Sequence, residues 1–215
     1  MEKLLLIGGG GHCKVVIDAV NKMGVFEISG IIDIKEKIGL KVSSIPIIGS
    51  DEELIKIVSS LHIKKCIITA GSVGETLLRT RLVKLSENAG LEFVNIIHPS
   101  AIISENSILG KGNFVSAGAI INSETIIGDH CIINTGAVIE HDCKIGDFVH
   151  ISPKALLCGG VKIGNNSHIG AGTCVIQNVA VGSNTIIGIG SVVTKTVESN
   201  IVAYGNPCKP KTNGN

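Results

Sequence analysis

The segment Glu140-His141-Asp142-Cys143 sets an imidazole between two carboxylates, and His150 follows nine residues later. An imidazole with an ordinary pKa near ~6.5, beside a carboxylate, is suited to take a proton from an amine or hydroxyl at neutral pH. A second arrangement lies near the N-terminus. The apolar run Leu4-Leu5-Leu6-Ile7 leads into Gly8-Gly9-Gly10-Gly11-His12, and Cys13, Val15, Val16, Ala19 and Val20 continue at helical spacing. A strand, a Gly-rich turn and a helix make a phosphate cradle, because N–H groups at a helix start attract anions. The plain alternatives are a solvent-facing histidine and glycines that merely permit a tight turn. A zinc site drawn from His130, His141, His150 and His168 is a third.

Composition restricts what can position these residues. The 215 residues are 44% hydrophobic and 17% charged, enough for a real core in one or two domains. Aromatics make up 2%, with no Trp, while Gly counts 27, so the core must be small, aliphatic and repetitive in geometry. Every sixth residue from Ile97 to Val193 is aliphatic, seventeen in succession. A helix of period 3.6 cannot hold a six-residue period on one face. The residue after each anchor is often Gly, as at Gly110, Gly128, Gly146, Gly164 and Gly182, where a corner is expected to need a permissive backbone. Four after each anchor stands a small residue in most hexads, including Ala119, Thr125, Ala137, Ala155 and Thr173. The pattern describes a narrow prism.

Other features bound the partners. Nineteen basic against eighteen acidic residues give a net charge of +1, which offers no footprint for nucleic acid or an anionic membrane. Four apolar residues before the first glycines are too few for a signal segment or a membrane span, so a cytoplasmic protein is expected. Seven cysteines without a CxxC pair read as small core fillers rather than a disulfide scaffold.

The six-residue period resembles that of the hexapeptide-repeat acyltransferases, whose fold is a left-handed parallel β-helix with three short strands per coil. That resemblance implies nearly six coils, a prism roughly 27 Å tall at ~4.8 Å per coil. No hexad is interrupted, so no long loop projects from a corner. Residues eighteen apart stack, which puts Gly159 and Gly160 above His141 and Asp142, His168 above His150, and Glu124 below Asp142. Zinc-binding members carry a His-x4-His pair that this chain lacks, and no metal is expected.

At the front, a second strand Gly30-Ile31-Ile32 ends in Asp33, near where a ribose-binding acid is expected. A helical stretch Asp51 to Leu61 and a third strand, Lys65 to Gly71, follow. A full dinucleotide fingerprint would want a third Gly where Cys13 stands, and about ninety residues provide one mononucleotide half. A nucleotide-linked substrate is thus favoured over NAD. Sugar nucleotidyltransferases place Arg and Pro soon after such a loop, whereas His12-Cys13-Lys14-Val15 follows here.

Together, Ile7 to His12, Asp33, Ala70-Gly71, Asn95-Ile96-Ile97-His98-Pro99-Ser100-Ala101 and Val138 to Asp142 resemble the bacterial sugar acetyltransferases of bacillosamine and perosamine synthesis and the sialic acid O-acetyltransferases. The resemblance spans the chain. It implies an α/β N-terminal Rossmann-like βαβαβα domain over residues 1–95 that binds a nucleotide sugar, an all-β left-handed parallel β-helix over 96–205, and a C-terminal tail over 206–215. Residues 211–215 are polar and expected to fray. It also implies His141 as general base, Asp142 raising its basicity and Asn134 near the reacting centre. Gly10, Gly11, His12, Asp33, Ile34 and Gly71 match the nucleotide-sugar site. His150, Gly159, Ala171 and Ile189 match the acetyl-CoA site, Gly159 offering its N–H to the thioester oxygen. Family members are homotrimers with active sites between prisms, His12 coming from the neighbouring subunit. The expected reaction is N-acetylation of a nucleotide-linked 4-amino-deoxysugar. Sialic acid O-acetylation is the alternative within the class, and a non-catalytic nucleotide-sugar-binding protein is the alternative outside it.

Overall fold

A computed structural model of the chain describes residues 1–211, which divide into two compact units. The first comprises Met1–Ser72 and Thr76–Pro99, the second Val73–Glu75 and the chain from Ser100 onward.

The first unit is a six-stranded sheet flanked by helices. In chain order it contains β1 (Glu2–Ile7), α1 (Gly11–Met23), β2 (Phe26–Asp33), β3 (Lys41–Val42), β4 (Ile45–Ser50), α2 (Leu54–Leu61), β5 (Lys65–Ile68), α3 (Leu77–Asn88) and β6 (Glu92–Phe93). The strand order is β3-β4-β2-β1-β5-β6, parallel except for the β3–β4 pair. Leu4, Leu5 and Leu6 of the central β1 are wholly buried, as a parallel strand covered on both faces requires. Helix α1 buries Cys13, Val16, Ile17, Ala19 and Val20 and stops where Gly24 turns left-handed and donates its N–H to the Val20 carbonyl. A capping box between Ser50 and Glu53 opens the turn that leads into α2. The sequence reading passes from Asp33 straight to the helix at 51–61; the structure adds β3 and β4 between them. Pro46 and Gly49 inside a six-residue run hide a strand, yet β4 pairs with β2 through Ile47, Gly49 and Ser50.

The second unit is a left-handed parallel β-helix. Two-residue strands recur every six residues from Ile102–Ile103 to Val192–Val193, each ending on an aliphatic anchor. Each strand pairs with the one eighteen residues further on, as Ile121 does with Ile139 and Ile139 with Leu157, producing three walls. Anchors from Val115 onward are buried, and Ala119, Thr125, Ala137, Ala155 and Thr173 fill the space between them. Polar members of this inner set are hydrogen-bonded: Thr125 Oγ1 donates to the Glu140 carbonyl at 2.9 Å, and the Cys143 thiol lies 3.3 Å from the Cys158 carbonyl. All seven cysteines are free thiols. Cys13, Cys66, Cys131 and Cys143 are buried fillers, whereas Cys174 is exposed and Cys158 and Cys208 half-buried. Burial pushes the Cys66 thiol up to about 12 and that of Cys143 to about 11.

The corner glycines serve a different purpose from the one the sequence suggests. Positive φ recurs three residues after each anchor from Leu109 to Ile187, at Gly112, Gly118, Glu124, His130, Gly136, Asp142 and onward, not one residue after. Glycine directly after an anchor is required by the next coil: a Cβ on Gly170 would lie 2.6 Å from the Gly188 backbone carbon. Past Val193 the spacing shortens, Val181 bridging to Val197 and Ile186 pairing with Val202. Val202–Tyr204 and Lys209–Pro210 then form an antiparallel hairpin that closes the prism. The backbone N–H of Lys211 donates to the Val202 carbonyl, so this residue is tied down; the rest of the expected fraying end, 212–215, lies outside the described residues.

Candidate active site

Strand Val138–Ile139 delivers Glu140, His141 and Asp142 to one corner of the prism. Two of the three acidic or basic groups are oriented by the coil below. The Glu140 carboxylate accepts a hydrogen bond from Asn122 Nδ2 at 2.9 Å, and the Asp142 N–H donates to the Ser123 carbonyl at 3.1 Å. Asp142 adopts φ 61°, a left-handed conformation that Asp tolerates better than most residues. Its side chain turns back on its neighbour, His141 Nδ1 lying 2.7 Å from Asp142 Oδ2. A carboxylate on Nδ1 keeps that nitrogen protonated and leaves Nε2 with its lone pair. Both side chains are about two-thirds exposed, at 64% and 65%. One coil above, a Cβ on Gly159 would fall 2.7 Å from both Nε2 and Cε1, so the ring lies under a residue whose lack of a side chain it requires. The ring faces away from the aliphatic interior, as a base needs.

The other expected residues of this unit lie on the preceding wall and corner. His150 is buried, its Nε2 3.1 Å from Asn134 Nδ2, and His168 stands edge-on to it with ring centroids 4.8 Å apart. His168 Nε2 is 3.3 Å from Ser152 Oγ, and burial lowers its pKa. Asn134 is therefore a partner of His150; among the described residues it makes no hydrogen bond to His141. Ala171 accepts the N–H of Gly190 at its carbonyl, one coil below Ile189, whose side chain is 78% exposed. The four histidines considered for zinc are distributed: His130 stacks on Phe148, His150 pairs with His168, and His141 stands at its corner. Among the described residues no cluster of three metal-ligating side chains is present.

In the first unit a cavity of about 240 Å3 opens at the carboxyl ends of β1 and β2, lined by Gly9, Gly10, Asp33, Ile34, Gly71 and Arg81 among others. Four of the six residues expected at a nucleotide-sugar site thus meet there. Gly11 and His12 begin α1 just outside the lining, the Cβ of His12 lying 3.4 Å from where a Cβ on Gly71 would be. The glycines divide by purpose. A Cβ on Gly8 would strike the Ala70 backbone at 2.7 Å, and one on Gly9 would strike Asp33 at 2.7 Å, but at Gly10 and Gly11 it would meet open space. Asp33 accepts the N–H of Gly9 at 2.6 Å and of Ile34 at 2.7 Å, and pairs with Lys37 at 3.1 Å. Burial alone would raise its pKa; the Ile34 N–H, the Lys37 ammonium and the Gly9 N–H outweigh it and hold the carboxyl below its usual range. His12 is pushed down to about 4 by burial and, second, by the Arg79 guanidinium, so it is a neutral imidazole at pH 7.

Sequence reasoning missed Lys37, Asp51 and Arg81, which supply the charge around this cavity. Arg81 reaches Asp51 at 2.6 Å across thirty positions, a pairing no local spacing announces. Lys37 stands four after Asp33, a spacing that could have found it. Among the described residues no helix is long and apolar enough to cross a membrane.

Comparison with known proteins places these features in context. The family described as PglD N-terminal domain matches residues 3–85, and bacterial transferase hexapeptide (six repeats) matches 124–159. No curated protein sequence matches. Among solved structures, a histidine-to-asparagine variant of perosamine N-acetyltransferase from Caulobacter crescentus, in complex with CoA and GDP-perosamine, is 36% identical with a TM-score of 0.92, over 99% of this chain and 98% of its own. The acetyltransferase domain of PglB from Neisseria gonorrhoeae FA1090, in complex with acetyl coenzyme A, is 33% identical with a TM-score of 0.88, over 98% of this chain and 99% of its own. WeeI from Acinetobacter baumannii AYE, 24% identical with a TM-score of 0.87 over 98% of this chain and 100% of its own, shares the fold.

Proposed function

The chain belongs to the bacterial sugar acetyltransferases of the hexapeptide-repeat superfamily, and on that premise we propose that it moves the acetyl group of acetyl-CoA to the amino group of a nucleotide-linked 4-amino-deoxysugar, with His141 as general base. The observation that carries this reading is the imidazole held at 2.7 Å by Asp142 with Nε2 presented beneath Gly159. The neutral amine attacks the thioester carbonyl, Nε2 takes the proton the nitrogen sheds, and the C–S bond breaks as the tetrahedral intermediate collapses. The imidazolium then returns the proton to the departing CoA sulfur. Asp142 offsets the transient charge on the ring, and the Gly159 N–H is available to the developing oxyanion. No covalent enzyme intermediate is required, since holding two substrates together supplies much of the acceleration.

Residues 1–95 bind the nucleotide sugar in this reading and 96–205 carry the transfer. The open space over Gly10 and Gly11 at the start of α1 favours an anionic ligand, while Lys37 and Arg81 line the same cavity already paired with Asp33 and Asp51. We also infer a homotrimer with active sites between prisms. The outward column Ile102, Ile120, Val138, Leu156, Cys174 and Val192 is apolar throughout and supports a covered wall.

Thiol release from acetyl-CoA, followed with UDP-, GDP- and dTDP-linked amino sugars and with sialic acid, tests the proposal. Release that depends on an amino sugar is the expected result. Release with sialic acid alone would make the enzyme an O-acetyltransferase, and binding of a nucleotide sugar without release in any mixture would leave a non-catalytic binding protein.

A further inference from the structure

The carboxylate of Asp33, at the end of β2, has all of its acceptor sites occupied. Oδ1 accepts the N–H of Ile34 at 2.7 Å and the Lys37 ammonium at 3.2 Å. Oδ2 accepts the N–H of Gly9 at 2.6 Å and the same ammonium at 3.1 Å. An ionised carboxylate offers about four acceptor sites, and these contacts fill them. The side chain is only 10% exposed, so there is no open edge from which a further donor could approach. A ribose whose hydroxyls are to be held by this acid finds no lone pair free.

The donors differ in how firmly they are held. The Gly9 and Ile34 N–H groups are main chain, fixed by the turn after β1 and by the end of β2. Lys37 instead reaches Asp33 from a single 3-10 turn, Lys35–Lys37, on a flexible stem, its side chain 39% exposed. An ion pair this open contributes little to stability and is readily exchanged. Because Asp33 Oδ2 touches both the Gly9 N–H and the ammonium, the ammonium stands one carboxylate oxygen away from the Gly-rich turn. Lys37 also lines the cavity that Gly10 lines, whereas the lining's other cation, Arg81, is paired with a different carboxylate, Asp51.

Resting on the reading that this cavity takes a nucleotide-linked sugar, we propose that Lys37 is an exchanging ligand contact: ribose hydroxyls replace its ammonium on Asp33, and the ammonium turns to the diphosphate over Gly10 and Gly11. Each hydroxyl then donates to a carboxylate oxygen, the two main-chain N–H groups stay in place, and Asp33 remains fully satisfied. Charge favours the same move. While paired, Asp33 and Lys37 cancel, so a diphosphate meets no free cation on that side of the cavity; once the hydroxyls take over the carboxylate, the ammonium is released to the phosphate oxygens. Ribose and diphosphate are thereby recognised together. A bare nucleoside must displace Lys37 with nothing to receive it, and a nucleoside diphosphate supplies the receiver. A lysine that merely tied the loop to β2 would instead affect both ligands alike.

The test is calorimetry on the full chain with UDP and GDP, followed by displacement of the tighter of the two with its own nucleoside. Lys37→Met keeps the stem and removes the charge. It should weaken the diphosphate about tenfold, as loss of a charge-assisted phosphate contact does, and tighten the nucleoside about threefold, because the Asp33 acceptors are then open. Asp33→Asn should weaken both. Opposite signs for the two ligands in Lys37→Met are the signature of exchange. If that variant weakens both ligands equally, or changes neither, the exchange is overturned while nucleotide binding stands. If the wild-type protein binds neither UDP nor GDP, no ribonucleotide belongs in the cavity, and the exchange falls together with the reading it rests on.

Discussion

The prism and the sheet unit both carry glycine where the chain must be thin, but only one of them lets function be told from structure by pattern. In the prism each environment returns every eighteen residues, so a working residue shows as a departure from its column. In a corner column that otherwise reads Glu105, Ser123, Gln177 and Lys195, His141 is the one ring, and Gly159 above it is a glycine that a ring, not a backbone, demands. In the sheet unit nothing repeats. Gly8 and Gly10 look alike in sequence, yet one is wedged against Ala70 and the other faces open space. Periodicity thus makes exceptions visible, whereas a single turn must be judged by what surrounds each Cα.

The sharpest way to break this contrast is at the exception itself. His141→Ala should lower kcat at saturating substrates by at least ~100-fold, the usual contribution of a positioned base. Its melting temperature should stay within the range of other exposed substitutions, because the side chain is 64% exposed. Asp142→Asn, which removes the charge but keeps a partner for Nδ1, should cost about tenfold. Wild-type turnover in His141→Ala would mean that the departure from pattern carries no chemistry.

The glycine contrast in the sheet unit gives a smaller but equally separable result. Gly8→Ala places a Cβ 2.7 Å from the Ala70 nitrogen at a φ of +109°, so a destabilisation of about 2–4 kcal/mol is expected. Gly10→Ala meets no atom within 4 Å and should leave stability within about 0.5 kcal/mol while weakening nucleotide-sugar affinity. Urea unfolding and ligand titration of the two variants separate the roles. Equal stability losses would show that both glycines merely permit the turn.

Acid unfolding probes the same turn from its histidine. Folded His12 stays neutral down to about 4, whereas the imidazole of an unfolded chain takes its proton near 6.5. Between these values the unfolded state binds more protons, so stability is full above 6.5 and falls as pH drops toward 4. His12→Asn should flatten the dependence of melting temperature on pH in that window. An unchanged slope would place the neutral imidazole elsewhere.

The prism's existence, its coil length and the Gly159–His141 stacking were all legible, because a six-residue period over seventeen anchors leaves one winding that buries them all. The glycine-after-anchor reasoning mistook close approach for left-handed backbone: both permit only small residues, and sequence cannot tell a steric wall from a φ preference. In the sheet unit, β1, α1 and Asp33 were legible from local pattern. Strand β4, with Pro46 and Gly49 inside it, was not, because its pairing with β2 is a tertiary fact that overrides local propensity. Arg81 was invisible for a related reason: its partner Asp51 is brought near only by the fold.

The smallest effect tests whether the left-handed position, which the period did not reveal, costs what its geometry implies. Lys154 sits there with φ 58°, exposed, its N–H bonded to the Thr135 carbonyl at 3.0 Å. Lysine in that region is strained by roughly 1–2 kcal/mol, part of which glycine recovers and part of which it loses to the entropy of a freer unfolded chain. Lys154→Gly should therefore stabilise the protein by about 0.5–1 kcal/mol, and Lys154→Asn by about half as much, since Asn tolerates the conformation without giving up its side chain. Both are read as a rise in urea midpoint at unchanged slope. Should Lys154→Gly destabilise instead, the prism corner would owe its stability to the lysine stem packed near Gly136, whose Cβ position lies 3.7 Å from Lys154 Cγ, rather than to backbone strain relieved elsewhere by glycine and asparagine.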